Sequence, residues 1–144
     1  MGTNRDIRST LLVEEIMTTP VITLKGLNTI TEAMEKLIDH GISGAPIVDD
    51  MGRVLAIISE FDLMKFAVTS DPHSALQNFI KKLKQGDEII QIRPYATFVD
   101  IFKIFLANGL RRVPVIDKGG YLKGIVARRD VLKVFVQGID NPLL

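Results

Sequence analysis

The sequence predicts a mixed α/β (α+β) fold made of two copies of a β-α-β-β-α unit. The first observation is a repeat: the stretch from Gly41 to Lys65 returns in altered form from Gly109 to Lys133, at a constant offset of 68 positions. The second is the spacing of apolar residues, which in each copy alternates between short β-branched runs and a helical period. Since one copy alone buries too little apolar surface, we expect one compact domain of two half-domains that share a core. The identical pairs are Gly41/Gly109, Pro46/Pro114, Asp49/Asp117, Gly52/Gly120, Ile57/Ile125, Asp62/Asp130 and Lys65/Lys133.

The composition excludes several classes of function. Eighteen basic residues against 17 acidic ones give a net charge of +1, which supplies no general field for nucleic acid or anionic lipid. The absence of cysteine excludes disulfides, cysteine-ligated zinc and a thiol nucleophile. The sequence shows no plausible pair of nucleophile and base and no cluster of metal ligands, so we expect a protein that is not an enzyme and requires no cofactor.

The cellular setting is predicted from three absences. The sequence has no apolar run long enough to cross a bilayer, and its first residues, MGTNRD, lack the hydrophobic region of a signal peptide. A chain without cysteine also fits a reducing compartment. We therefore expect a soluble, cytoplasmic protein with no membrane partner, and an aliphatic core, since 47% of the residues are apolar and 6% aromatic.

The first copy follows a short helical arm. Apolar residues between Ser9 and Met17 have helical spacing, with Ser9 as the cap, and Pro20 ends the arm. In the copy itself, Thr29 and Glu32 have the spacing of a capping box. The elements predicted here are a strand over 21–24, a helix over 29–40 ended by Gly41, strands over 45–49 and 53–59 joined by a turn at Gly52, and a helix from Glu60.

The second copy repeats this order after a linker. The linker's apolar residues over 74–84 predict an extra amphipathic helix ended by Gly86, and we interpret its Lys81, Lys82 and Lys84 as a solvated face rather than a nucleic-acid site. The elements predicted next are a strand over 89–92, a helix from Thr97 ended by Gly109, strands over 113–117 and 121–127, and a helix over 128–136 ended by Gly138. The predicted parts are therefore an arm (1–20), a first repeat (21–68), a linker (69–88), a second repeat (89–136) and a tail (137–144).

These motifs resemble a tandem pair of CBS domains, the regulatory unit called a Bateman module. The resemblance covers about residues 13–136 and rests on Met17-Thr18-Thr19-Pro20-Val21 and on two ordered sets, each with a Gly-x-x-x-[Ala/Val]-Pro strand, a turn glycine and an aspartate after the last strand. It implies two β-α-β-β-α repeats packed through their sheets with pseudo-twofold symmetry. The second copy departs twice: Gln85-Gly86-Asp87-Glu88 replaces Met-Thr-x-Pro, and Ala127 stands where Ser59 stands in the first copy.

The resemblance also implies a ligand. Such modules typically bind adenosine-containing molecules in two clefts between the repeats, with the aspartate at the start of the last helix on the ribose hydroxyls; Asp62 and Asp130 match it. Ser59 at a helix start can meet a phosphate, and Ala45, Pro46 and Pro114 lie where an apolar slot for a purine is expected. A structural alternative stays open, because Ser59 and Asp62 also form an ordinary capping box.

Four arginines distinguish the second copy. Arg111 and Arg112 precede one strand, and Arg128 and Arg129 open the last helix, where the first copy has Ser43, Gly44, Glu60 and Phe61. They are candidates to neutralise a phosphate chain, and the alternative is a solubilising surface or partners for Asp100 and Asp130. We infer unequal clefts, one of them preferred for ligand.

Two functions therefore compete. One is a regulatory module that binds an adenosine-containing ligand, AMP, ADP or ATP first among them, and transmits a packing change to a partner, with a homodimer and a separate effector protein as implied partners. The other is a structural homodimerisation module whose sites are vacant or degenerate, which the two departures in the second copy favour.

Overall fold

The computed structural model describes residues 10–140, which form two compact units. One unit is a single contiguous stretch, residues 22–89. The other combines residues 10–21 with residues 90–140, so the arm belongs to the same unit as the second copy. Ser9, the predicted cap of the arm, and residues 141–144 of the predicted tail lie outside the described residues.

The contiguous unit is a four-stranded sheet with two helices. Strand β1 runs parallel to β2, and β3 and β4 follow antiparallel, in the spatial order β1-β2-β3-β4. Its helices confirm the local signals, because Thr29 and Glu32 form the predicted capping box and Gly41 takes the left-handed conformation, φ 61°, at the helix end. The bounds are β1 Leu24–Lys25, α2 Ile30–His40, β2 Gly44–Val48, β3 Val54–Ser59, α3 Glu60–Thr69 and β4 Lys84–Gln85.

The second unit repeats this arrangement, but single bridges take the place of the two outer strands. Strands β5 and β6 pair antiparallel in the same register as β2 and β3. Ile92 makes a single parallel bridge to Val115, and Thr18 makes a single antiparallel bridge to Ile125. The bounds are α1 Val13–Ile16, α4 Phe98–Ala107, β5 Arg112–Ile116, β6 Leu122–Ala127 and α5 Arg128–Asp140.

The arm and the linker make equivalent backbone and core contacts, the arm in the second unit and the linker in the contiguous unit. The amide of Leu76 donates to the carbonyl of Asn28, 2.8 Å, and the amide of Val13 donates to that of Ala96, 2.7 Å. Val13 and Leu76 are both fully buried, each within the core of its own unit. The arm and the linker are therefore equivalent segments that complete equivalent sheets.

Several predicted elements are corrected. The arm is not one helix from Ser9 to Met17, because the backbone of Leu11 and Leu12 pairs with the start of α4 instead. The linker helix over 74–84 is absent. Its apolar residues Leu76, Phe79 and Leu83 are buried as expected, but the segment forms two 3₁₀ turns, Leu76–Asn78 and Ile80–Lys82, and the amides of Leu76 and Gln77 bond the loop before α2.

The other corrections concern ends of elements. The strands predicted over 21–24 and 89–92 shrink to β1, Leu24–Lys25, and to the single bridge at Ile92. Gly109 does not cap α4, which ends in an extended Asn108, and α5 continues through Gly138. Both turn glycines do take positive φ, 90° at Gly52 and 89° at Gly120.

Each unit has its own core, which corrects the expectation that the two copies share one. Both cores are mainly aliphatic as predicted. Phenylalanine adds to them: Phe66 stacks on Phe79 at 4.4 Å in one unit, and three rings cluster in the other. Ile38 on α2 and Leu106 on α4 are exposed although they are large and apolar, and they occupy equivalent positions. Each unit therefore exposes an apolar side chain at the same position of the repeat.

Candidate ligand-binding edges

The candidate site residues lie at one end of each unit's central strand pair. We call the start of α3 with the adjoining strand ends of β2 and β3 the first edge, and the start of α5 with those of β5 and β6 the second edge. In each, an amide at the helix start donates to a carbonyl just before the first strand of the pair: Glu60 to Ser43, before β2, at 2.9 Å, and Arg128 to Arg111, before β5, at 3.2 Å. The backbone of the two edges is thus equivalent.

The first edge is organised by a complete capping box. Oδ2 of Asp62 accepts the amide of Ser59 at 2.9 Å and its hydroxyl at 2.8 Å, while the amide of Asp62 donates to Ser59 Oγ at 3.1 Å. The structural alternative for this pair is therefore realised. The capping box uses only one oxygen of the Asp62 carboxylate, because both bonds go to Oδ2 and Oδ1 accepts none within the described residues.

The second edge keeps the carboxylate and loses the local hydroxyl. The amide of Ala127 donates to Asp130 Oδ2 at 2.8 Å, as that of Ser59 does to Asp62. The hydroxyl comes from the arm, since Thr18 Oγ1 lies 3.3 Å from Oδ1 and 3.4 Å from Oδ2 of Asp130. Sequence reasoning missed Thr18 as a site residue. Its signals were the Met-Thr-Thr-Pro motif, found before one repeat only, and the missing hydroxyl at Ala127.

The apolar candidates are buried. Pro46 and Pro114 sit within β2 and β5, opposite Ile57 and Ile125. Ala45 belongs to the core of the contiguous unit, and successive side chains of a strand point to opposite faces. The Ala45 side chain therefore does not share a face with that of Pro46.

The four arginines gather at the second edge as the sequence indicates. Arg111, Arg128 and Arg129 are exposed and Arg112 is half-buried; Arg128 Nε donates to the carbonyl of Leu110 at 2.7 Å, which anchors its guanidinium against the loop that carries Arg111. Within residues 10–140 none of the four forms an ion pair with Asp100 or Asp130, which removes that part of the alternative.

The first edge has no space for a side chain at the position equivalent to Arg112. Gly44 stands where Arg112 stands, and a Cβ on Gly44 would lie 2.9 Å from the carbonyl oxygen of Ile58. Glu60 and Asp62 leave this edge with two carboxylates, whereas the second edge has four guanidinium groups and one carboxylate. The two edges therefore differ in electrostatic character as predicted from sequence, and an anionic group meets attraction at only one of them.

Another polar position that is identical in the two copies has a structural role. Asp49 accepts the amides of Met51 and Arg53, both at 2.9 Å, and Asp117 accepts those of Gly119 and Tyr121 at the same distance, so both aspartates hold turns. The backbone amide of Arg53 is the main cause that holds the pKa of Asp49 below its usual range, with the Arg53 side chain adding to it. In the described part of the chain no group of three or more His, Cys, Asp or Glu side chains is placed to hold a metal ion.

The repeated units and their two edges define a class: a tandem pair of α+β repeats. The CBS domain family model matches residues 13–69 and 82–137. The chain belongs to the CBS domain family, as a tandem pair. The resemblance stated from sequence is confirmed, including its two-repeat α+β architecture.

Similar proteins support the same conclusion. An uncharacterized 17.7 kDa protein of Acidianus ambivalens is 32% identical over 124 residues, covering 86% of this chain and 73% of the relative. Some other curated relatives are more than twice as long as the matched part, so that the chain spans 42% or 43% of their length.

Solved structures show the same fold. The crystal structure of CBSX2, a CBS-pair protein of Arabidopsis thaliana, in complex with AMP has a TM-score of 0.74 at 22% identity, covering 88% of this chain and 97% of that one. The CBS domain pair of protein MJ0100, in complex with 5′-methylthioadenosine and S-adenosyl-L-methionine, has a TM-score of 0.69 at 26% identity, covering 90% and 98%. None of the helices in residues 10–140 combines the length and the apolar content needed to span a bilayer.

Proposed function

We propose that this chain is a regulatory module that binds an adenosine-containing ligand, with AMP, ADP and ATP as the first candidates, and that binding changes its packing for a partner to read. The observation that carries the proposal is the pair Asp62 and Asp130. Each stands at the start of the last helix of its unit, oriented by a backbone amide, and each belongs to an edge that is equivalent in backbone. A carboxylate so placed recognises a vicinal diol, because it accepts charge-assisted hydrogen bonds from adjacent hydroxyls.

Two further observations support an adenosyl ligand. The CBS pair of MJ0100 holds two adenosyl compounds in its crystal structure. The four arginines of the second edge add affinity for a phosphate chain, since guanidinium groups bind phosphate oxygens in a bidentate manner. We infer that the second edge prefers phosphorylated adenosines, whereas the first edge, with two carboxylates, discriminates against them.

Titration calorimetry with AMP, ATP and S-adenosylmethionine tests the proposal. We expect AMP or ATP to bind the unaltered chain. Asp130→Asn should weaken that binding at least tenfold, because a neutral amide replaces the charged carboxylate that accepts hydrogen bonds from the ligand. Asn can still accept the amide of Ala127, so folding is preserved. Asp50→Asn, at an exposed turn position, is the matched control and should leave affinity unchanged.

Thermal unfolding with a panel of ligands can contradict the proposal. A ligand at a hundred times its Kd stabilises the fold by about 2.7 kcal/mol, which is a readily measured shift. If AMP, ADP, ATP, S-adenosylmethionine and NAD all leave the unfolding temperature unchanged at millimolar concentration, the chain is not an adenosyl-binding module.

One observation favours the second candidate function, homodimerisation. Six apolar residues are more than half exposed at three pairs of equivalent positions on the helices. They are Ile38 and Leu106, Met64 and Leu132, and Val68 and Val136. Large apolar side chains exposed in register on a surface are typical of protein interfaces, and we propose a second copy of this chain as the partner.

Sedimentation of variants tests this dimer. Met64→Glu places a charge among these residues and should shift the chain to monomer, whereas Met51→Glu is the matched control at an equally exposed turn position away from the helices. A monomeric unaltered chain at micromolar concentration would contradict the proposal. An intact dimer that binds none of the adenosyl compounds would favour the structural reading over the regulatory one.

A further inference from the structure

The second edge lacks a group that the first edge has. At the first edge, Asp62 receives the Ser59 hydroxyl at 2.8 Å in addition to the amide of the same residue. At the second edge the amide bond to Asp130 is preserved, but Ala127 has no hydroxyl to donate. A carboxylate held by one amide alone can still rotate about that bond, so its second oxygen has no fixed direction.

Thr18 of the arm stands in that position. Its hydroxyl lies 3.3 Å and 3.4 Å from the two oxygens of Asp130, 112 positions further along the chain. No other partner of this hydroxyl exists within the described residues. Each of the two aspartates therefore has one hydroxyl donor, from its own helix cap at the first edge and from the arm at the second.

The backbone, not the hydroxyl, places Thr18 there. Thr18 and Ile125 exchange two hydrogen bonds, 2.7 Å and 3.1 Å. The preceding Met17 lies against Gly124, where an added Cβ would overlap the Sδ atom of Met17. Gly124 is the counterpart of Ala56 in the first copy, so the second copy has lost a side chain at the point where Met17 docks.

The equivalent segment of the other unit carries no such hydroxyl. Lys84 pairs with Ile57 as Thr18 pairs with Ile125, which aligns Leu83 with Met17 and Lys84 with Thr18. This register replaces the sequence-based alignment, which set Met17 against Gln85. The unit whose cap has the Ser59 hydroxyl thus has a lysine at this strand position, and the unit whose cap has Ala127 has a threonine there.

We propose that Thr18 is a positioning residue of the second edge, which fixes the carboxylate of Asp130 for ligand recognition in place of the hydroxyl missing at Ala127. The inference rests on the proposed function of Asp130. It adds a regulatory consequence, because the arm must be docked on β6 for the second edge to be complete. Ligand affinity at this edge and docking of the arm are therefore coupled, and each stabilises the other to the same extent.

The test uses the Asp62→Asn chain, so that only the second edge contributes, with AMP as the probe in calorimetry. Thr18→Val removes the hydroxyl while keeping the β-branched shape, and should weaken AMP binding about two- to tenfold, as expected for one net hydrogen bond. Thr18→Ser keeps the hydroxyl and should stay within about twofold. The decisive variant is Thr18→Val with Ala127→Ser, which supplies the hydroxyl from the helix cap and should restore the affinity.

A ligand-free measurement separates this inference from the proposed function. The side-chain carboxyl carbon of Asp130, which is present in every variant, should change its NMR shift in Thr18→Val and return towards its original value in the double variant, while the exchange rate of the Ile125 amide reports that the arm remains docked. Equal AMP affinity and equal Asp130 carboxyl shifts in Thr18→Val and Thr18→Ser would overturn the inference, as would failure of Ala127→Ser to restore either quantity. If AMP does not bind any variant but the Asp130 carboxyl shift moves and recovers, Thr18 does position Asp130 and only the ligand assignment fails.

Discussion

Both edges orient an aspartate at a helix start, but the groups that orient it come from different parts of the chain. The first draws every group that orients its aspartate from four consecutive residues, Ser59 to Asp62. The second draws the amide from Ala127 and the hydroxyl from Thr18, on a segment that lies far away in sequence. A duplicated backbone thus fixes where a carboxylate stands, while the group that orients it is free to move to any segment that the fold brings near. Substitutions that break one edge and spare the other measure this difference.

The largest expected effect is at the contact that holds the arm. Gly124→Ala forces a methyl group into the position of the Met17 side chain, and overpacking of this kind costs about 1–3 kcal/mol. Urea unfolding should show this loss. Gly109→Ala is the matched control, since nothing lies within 4 Å of its added Cβ and its φ is not positive. A loss at Gly109 as large as that at Gly124 would show that the arm contact is not responsible.

The next effect is at the first edge. Ser59→Ala removes the cap hydroxyl that both donates to Asp62 and accepts its amide, and we expect a loss of about 1 kcal/mol in the free energy of unfolding. Thr18→Val should cost less, because its hydroxyl bonds are longer and it caps no helix amide. The reverse order in urea unfolding would mean that the arm, rather than the local cap, provides the stronger support.

A smaller effect of opposite sign is expected at the second edge. Ala127→Ser introduces the residue type that the first copy has, next to an Asp130 that is already in capping position. A capping serine in place of alanine stabilises a helix by about 0.5–1 kcal/mol where the site accepts it. Thermal unfolding should show a small rise. No change, or a decrease, would mean that the Thr18 hydroxyl already fills this position.

The sequence predicted what depends on neighbouring residues and missed what depends on distant ones. The capping boxes, the Gly41 helix end and the turn glycines are decided within a few positions, and all are found. The linker helix was wrong although its apolar spacing was helical, because the carbonyls of the loop before α2 compete for its amides and hold it in 3₁₀ turns. Thr18 was missed for the same reason, since its partner lies 112 positions away.

The smallest expected effect is a pH dependence in the turn of the first unit. Asp49 has a lowered pKa, chiefly because its carboxylate accepts the Arg53 amide. A lowered folded pKa means that the carboxylate stabilises the fold above the ordinary aspartate range, about 3.9, and loses that contribution as the pH falls through the lower folded value. The stability difference between the unaltered chain and Asp49→Asn should therefore shrink on acidification. Asp50→Asn, one position along, is the control; a difference that grows in acid would contradict the assignment.

The position of the arm has a consequence for synthesis. Residues 10–21 are made before the contiguous unit, yet Val13 and Met17 belong to a core whose members outside the arm lie in residues 90–140. The contiguous unit can fold from its own local contacts, whereas closing the second requires a long chain segment to be bridged, which is slower. The nascent chain therefore carries an uncovered apolar segment while the contiguous unit is made, and residues 10–21 are buried only after residues 90–140 have followed.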